Sequence, residues 1–178
     1  MFFYRVYFMW YYYFYIVKIS RMLLNSKIKI FLSFLLLFIF LNSCKKEKND
    51  VIPYAYVYFT IDLNDAQFLD LISTFGSVLV NSSTNNWKYS GGYNNNGIIV
   101  FNGGEQFYAY DRTCPHDYAV NGLSIKVNVV GVYAECPECK TSYLLPSGGN
   151  PASSSVGKYP LKNYRTSIYG NSVTVSNY

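Results

Sequence analysis

The 178-residue chain is 51% hydrophobic, 20% aromatic and only 14% charged, a balance that excludes an acidic or Ser/Gln-rich disordered chain. Its formal charge of +5 comes from 15 Lys and Arg against 10 Asp and Glu, yet five cations (Arg5, Lys18, Arg21, Lys27 and Lys29) precede Cys44 with no acid among them. Residues 44–178 therefore carry ten charges of each sign, and no nucleic-acid partner is expected.

Residues 1–21 form an aromatic-rich apolar stretch, but Met22 followed by LLNSKIKIF is a complete signal start by itself. Met22 is therefore the expected start, with residues 1–21 an over-long reading frame. From Ile30 to Leu41 run twelve nearly all-apolar residues behind Lys27 and Lys29. A spanning helix needs about 20, so this run reads as a signal-peptide core and residues 1–43 as a signal peptide. Leu41-Asn42-Ser43-Cys44 resembles the lipobox of bacterial lipoproteins. That resemblance implies cleavage before Cys44, lipid attachment to its thiol, and a place in the bacterial envelope, at the outer membrane, on a side the sequence leaves open. Acyl chains at about 0.8 kcal/mol per buried methylene hold a protein to a membrane without a spanning helix. An ordinary signal peptide that contains a cysteine is the alternative. Residues 44–50, Cys44 with the charged run KKEKND, read as the tether.

Residues 51–178 suffice for one domain with one core. Val51–Asp62 alternates, with Tyr54, Tyr56, Tyr58 and Thr60 on one side and Ala55, Val57, Phe59 and Ile61 on the other, which predicts a strand. Asp65–Thr74 is the one segment expected to make a helical turn or two. Further strands are expected at Ser77–Val80, Gly97–Phe101, Gln106–Tyr110, Leu123–Val127, Val130–Glu135, Ser142–Leu145, Arg165–Tyr169 and Ser172–Ser176. Asn102-Gly103-Gly104 and Gly170-Asn171 supply the positive φ of tight hairpins. Short strands at regular spacing argue an all-β fold. The alternating tyrosines Tyr54, Tyr56, Tyr58, Tyr108 and Tyr110 read as core cover and cross-strand pairs rather than as a sugar-stacking platform.

Beyond Cys44 the cysteines are Cys114, Cys136 and Cys139, and His116 is the one histidine in the chain. They form two pairs, Cys114-Pro-His116 and Cys136-Pro-Glu-Cys139, on either side of nineteen residues that contain two expected strands. Thiolates with an imidazole suit zinc or an iron–sulfur centre and do not suit calcium or magnesium. Nothing in the sequence nominates a general base, a phosphate loop or a Ser/His/Asp set. Asp111, Asp117, Glu135 and Glu138 read as solvated loop carboxylates.

This constellation resembles the Rieske [2Fe-2S] domain family over roughly Val51–Asn177, and Val51–Ile61 with Gly97–Val100 further resembles Rieske-like lipoproteins of Bacteroidetes. The resemblance implies an antiparallel β-sandwich or barrel bearing a cluster-binding subdomain of two ligand loops. It implies that Cys114 and Cys136 hold one iron of a [2Fe-2S] cluster while His116 and Cys139 hold the other, and that Thr141 and Tyr143 bond to the cluster sulfurs. A third loop, Gly148–Pro160, would cover the cluster. The implied function is one-electron transfer to a redox partner protein at the membrane, by a carrier or subunit without substrate chemistry. The chain departs from the family where Cys139 replaces the second histidine. The added negative charge lowers the expected potential below the Rieske range of about −150 to +300 mV, toward the −400 mV or so of plant-type centres. Two alternatives stand beside the cluster: a structural zinc in a Cys₃His site, and a metal-free interaction module closed by a Cys136–Cys139 disulfide in the oxidising space outside the cytoplasm.

Overall fold

The computed structural model describes residues 51–177; the signal segment, Cys44 and the charged linker lie outside the described residues. Ten strands fall into two antiparallel sheets. The larger is built from β1 (Tyr58–Asp62), β2 (Ser77–Val80), β3 (Ile98–Asn102), β4 (Phe107–Asp111), β9 (Asn163–Tyr169) and β10 (Ser172–Ser176), in the order β1-β10-β9-β4-β3-β2. The smaller is built from β5 (Asn128–Val130), β6 (Tyr133–Glu135), β7 (Ser142–Leu144) and β8 (Asn150–Pro151), in sequence order. The one α-helix among the described residues, α1 (Pro115–Asn121), joins β4 to the small sheet. The expected all-β antiparallel class is the one observed.

The alternation in β1 is real: Phe59 and Ile61 are buried while Tyr58, Thr60 and Asp62 face out. Ladder pairing begins only at Tyr58, opposite Ser176, so the expected strand from Val51 is shorter at its start. Tyr54, Tyr56 and Tyr58 are exposed, which corrects their assignment as core cover. The opposite face of the strand does that work. Tyr56 instead meets Tyr89 edge-on at 4.7 Å.

β3 is buried along its whole length, with Ile98 and Val100 in one core and Ile99 and Phe101 in another. Side chains of period two feed both faces of a strand, so an unbroken apolar run is what a doubly covered strand requires. The first core lies under the large sheet, where Trp87 stacks on Phe59 at 5.3 Å and on Phe68 at 5.8 Å. Phe68 belongs to a short 3-10 turn at Ala66–Leu71, as expected for that segment. The second core includes Tyr110, Ala134, Tyr143, Leu145 and Leu161, together with Cys114 and Cys136.

Three expectations near the cysteines fail. Leu123–Val127 is not a strand; its one β-pairing is an isolated bridge from Lys126 to Thr113. Val130–Glu135 is not one strand but a hairpin, because Gly131 at φ +60° turns the chain between Val130 and its partner Tyr133. Residues 115–121, expected as loop, are helical. Pro115 fills the first turn, where its missing N–H costs nothing, and left-handed Gly122 closes the end by donating to Asp117 and Tyr118 carbonyls.

Candidate metal centre

The site lies where β4 gives way to α1 and where the β6–β7 connection turns. Cys114 caps α1, its carbonyl accepting from Tyr118 N–H at 3.2 Å. Cys136 and Cys139 occupy a tight turn closed by Lys140 N–H donating to the Cys136 carbonyl at 3.1 Å. Lys140 takes φ +58°, and the Glu138 and Cys139 amides point at the Cys136 sulfur. Thr141 N-terminal to β7 and Tyr143 within it are both fully buried.

Among the described residues, one ligand atom from each of Cys114, Asp117, Cys136 and Cys139 lies within 4.8 Å of all the others, so this group could hold a metal. The Cys114 and Cys139 sulfurs are 3.6 Å apart. The Cys136 thiol donates to Asp117 Oδ2 at 2.8 Å, and the Cys139 thiol donates to Thr141 Oγ1 at 3.1 Å. Tyr143 Oη stands 3.2 Å from Cys114 Sγ. No disulfide joins these cysteines, so the Cys136–Cys139 bridge is not formed, and the sulfurs in contact are those of Cys114 and Cys139.

His116 is half-buried and stands outside the group of four. The helix explains this. In an extended loop, residues 114 and 116 share a side because the period is two, but in a helical turn position i faces i+3 and not i+2. Asp117 consequently meets the thiols, and His116 contributes its backbone N–H to Tyr143 Oη. The signal for this was in the sequence, as a proline at the first helical position and a glycine seven residues later.

Asp117 and Asp111 correct the reading of both as solvated carboxylates: Asp117 is 4% exposed and Asp111 fully buried. Glu135 and Glu138 are exposed as expected. Asp111 Oδ2 accepts from Tyr93 N–H at 2.6 Å and Tyr164 Oη at 2.7 Å, and Oδ1 accepts from Thr113 N–H at 2.8 Å. It braces the end of β4 from which Cys114 departs.

Burial, opposed by the Asp117 amide and Tyr143 hydroxyl, pushes the Cys114 thiol up to about 11. Burial and then the neighbouring Asp117 carboxylate raise the Cys136 thiol further. Asp117 itself is held below the usual carboxylate range: burial works upward, but the thiols of Cys136, Cys114 and Cys139 and the nearby His116 together outweigh it. The site thus sets one carboxylate beside the protonated thiols of Cys114 and Cys136.

The segment after β7 packs beside the site through Thr141. Gly157 runs so close that a Cβ there would stand 2.5 Å from Thr141 Cγ2. Gly149, left-handed at φ +70°, packs on Leu161 and Tyr110.

These donors can be tested against the two-iron cluster implied by the Rieske resemblance. Two ligands on one tetrahedral ion, with bonds of about 2.3 Å, lie about 3.8 Å apart, whereas ligands on opposite irons add the iron–iron separation and stand about 5 Å or more apart. The cluster assignment puts Cys114 and Cys139 on different irons, yet their sulfurs are 3.6 Å apart. As placed, the side chains do not fit a two-iron cluster.

No protein-family model and no curated protein matches the chain. Among solved structures, it is similar to a chain from the complex of reduced oxygenase and oxidized ferredoxin in carbazole 1,9a-dioxygenase, at 19% identity over 68% of this chain and 94% of that one, with a TM-score of 0.43. It is also similar to the ferredoxin of carbazole 1,9a-dioxygenase from Nocardioides aromaticivorans IC177, at 16% identity over 60% of this chain and 100% of that one, with a TM-score of 0.35.

Proposed function

We propose that the chain is a lipid-anchored protein of the bacterial envelope whose Rieske-like β-domain carries single electrons on a cysteine-bound iron centre and passes them to a partner protein. One observation carries the reading: three thiols from two loops converge on one site, and hydroxyl and amide groups lie against their sulfurs. A thiolate-bound iron supplies a one-electron couple, whose potential the protein sets through hydrogen bonds to sulfur and through burial. Here Tyr143, Thr141 and the amides of Asp117, Glu138 and Cys139 face the ligand sulfurs, and Cys114 and Cys136 are buried in the second core. The [2Fe-2S] form of this reading is supported by the Cys114-Pro-His116 and Cys136-Pro-Glu-Cys139 spacing, and it requires Cys139 to draw away from Cys114. The anchor rests on Leu41–Cys44, and the redox partner is left open by sequence and fold alike.

A second reading is a structural zinc centre in an envelope interaction module. It is favoured by the four protein donors, which would leave zinc no open position for water.

The test is to express the full chain and a Cys44→Ala variant in an envelope-bearing bacterium. Fractions are then assayed for the protein, iron, zinc and acid-labile sulfide, and the purified protein is examined by voltammetry. Membrane retention lost in the variant, stoichiometric iron and a reversible one-electron wave are expected. Zinc or no metal in the envelope-purified protein, with no wave, overturns the electron-transfer reading.

A further inference from the structure

We infer that the centre is a single tetrahedral metal ion held by Cys114, Asp117, Cys136 and Cys139, with the Asp117 carboxylate in the place that the Cys-x-His spacing would give to His116. The inference rests on the proposed metal-binding role and names its ligands and nuclearity.

Distance is the first argument. All four donor atoms lie within 4.8 Å of one another, and the Cys114–Cys139 separation of 3.6 Å is close to the tetrahedral edge of about 3.8 Å set by metal–sulfur bonds of about 2.3 Å. The Cys136–Asp117 contact of 2.8 Å is a thiol-to-carboxylate hydrogen bond. Replacing that proton by a metal would widen it to about 3.6 Å, a small rotation of two side chains.

The second argument is the situation of Asp117. A carboxylate with 4% of its surface exposed is costly unless strong donors or a cation meet it, and this one accepts from the Cys136 thiol at 2.8 Å with the Cys114 and Cys139 sulfurs close by. S–H is a weak donor. Coordination to a cation removes the deficit at one stroke, and the thiols lose their protons in the same event.

Local backbone supplies the third. The Cys136 turn, with Lys140 left-handed and the Glu138 and Cys139 amides aimed at the Cys136 sulfur, holds in place the donors that a thiolate at that atom needs once a metal displaces its proton. On the other loop, the first turn of α1 aims the Asp117 amide at Cys114 Sγ. Both loops therefore turn their sulfurs, and the amides that serve them, toward one point.

Loading a divalent ion balances as three thiols plus one carboxylate giving three metal–thiolate bonds, one metal–carboxylate bond and three released protons, with no change of oxidation state. Three soft donors select zinc or ferrous iron over calcium and magnesium.

The experiment uses the full-length protein purified from membranes, with metal and acid-labile sulfide counted per chain. It is repeated on metal-free protein titrated with zinc, ferrous iron and cobalt. One ion per chain with no sulfide is expected. The variant Asp117→Asn should bind zinc about tenfold more weakly or worse and shift the thiolate-to-cobalt bands, while His116→Asn should still bind one ion with the bands of the same donor set. If Asp117→Asn yields no folded protein, Asp117→Cys decides: a tight site with the spectrum of a four-thiolate centre is expected, and an unchanged spectrum overturns the assignment. Two irons with two sulfides, or loss of the ion in His116→Asn and not in Asp117→Asn, also overturns it. A single zinc bound through Asp117 would sink electron transfer and leave this inference standing.

Discussion

Tyr143→Phe removes one hydroxyl from a fully buried ring and leaves its packing in the second core intact. That hydroxyl is 3.2 Å from Cys114 Sγ and accepts the backbone N–H of His116. A metal-bound thiolate has no proton, so the tyrosine must be the donor, and its bond is stronger when the centre is reduced and the sulfur more electron-rich. A hydrogen bond is worth about 0.5–1.5 kcal/mol net, which for a one-electron couple is about 20–65 mV. The variant is expected to have a potential lower by that amount, measured by protein-film voltammetry on the iron-loaded full chain. Tyr110→Phe serves as control, because its hydroxyl donates to the Leu145 carbonyl at 2.6 Å and not to sulfur. It should cost about 1 kcal/mol of stability with the potential unmoved. A potential in Tyr143→Phe that rises, or that moves by less than about 10 mV, refutes the sulfur-tuning argument.

Metal uptake should be steeply pH-dependent, because Cys114, at about 11, and the still higher Cys136 are both protonated at pH 7. At least two protons per ion should appear in a weakly buffered titration, with affinity rising about a hundredfold per pH unit; a proton-neutral uptake contradicts the assigned ligands. In the metal-free domain the raised Cys114 value stabilises the fold below the ordinary thiol value of 9.0 and is lost as pH rises through about 11. Denaturant midpoints should therefore fall across that window, by about 2–3 kcal/mol for this group, and stay flat in the metal-loaded protein. Asp111→Asn sets an amide nitrogen against the Thr113 N–H, or against the Tyr93 N–H and Tyr164 hydroxyl, whichever way it turns. A loss of about 2–4 kcal/mol in urea unfolding is expected, and an unchanged midpoint would show that the bracing of β4 is unimportant. Gly149→Ala forces a side chain onto φ +70° with its Cβ 3.0 Å from both Leu161 and the Tyr110 ring, so a loss above about 1 kcal/mol is expected by the same measurement.

Much of the scaffold was written locally. β2, β3, β4, β9 and β10 fall within a residue or two of where alternation and turn residues put them, because a strand buried on one or both faces declares its period in the chain itself. The cysteine loops declared their donors too, since few residues bind soft metals and three of them stand in two short motifs. What the chain did not declare by spacing alone was which neighbour of Cys114 turns inward. Reading Cys114-Pro-His116 as extended loop put residues 114 and 116 on one side, and the seven-residue helix capped by Pro115 and Gly122 put Asp117 there instead. Helix and loop differ by a few tenths of a kilocalorie per residue in such a short segment. Tertiary packing of β4, α1 and the Cys136 turn therefore decides between them. The same packing buries Asp111 and Asp117, whose carboxyl groups in isolation are indistinguishable from the exposed Glu135 and Glu138. Donor identity is thus a property of the sequence, whereas donor geometry, and with it the number of metal ions the site can accept, belongs to the folded domain, where side chains distant in the chain share one buried point.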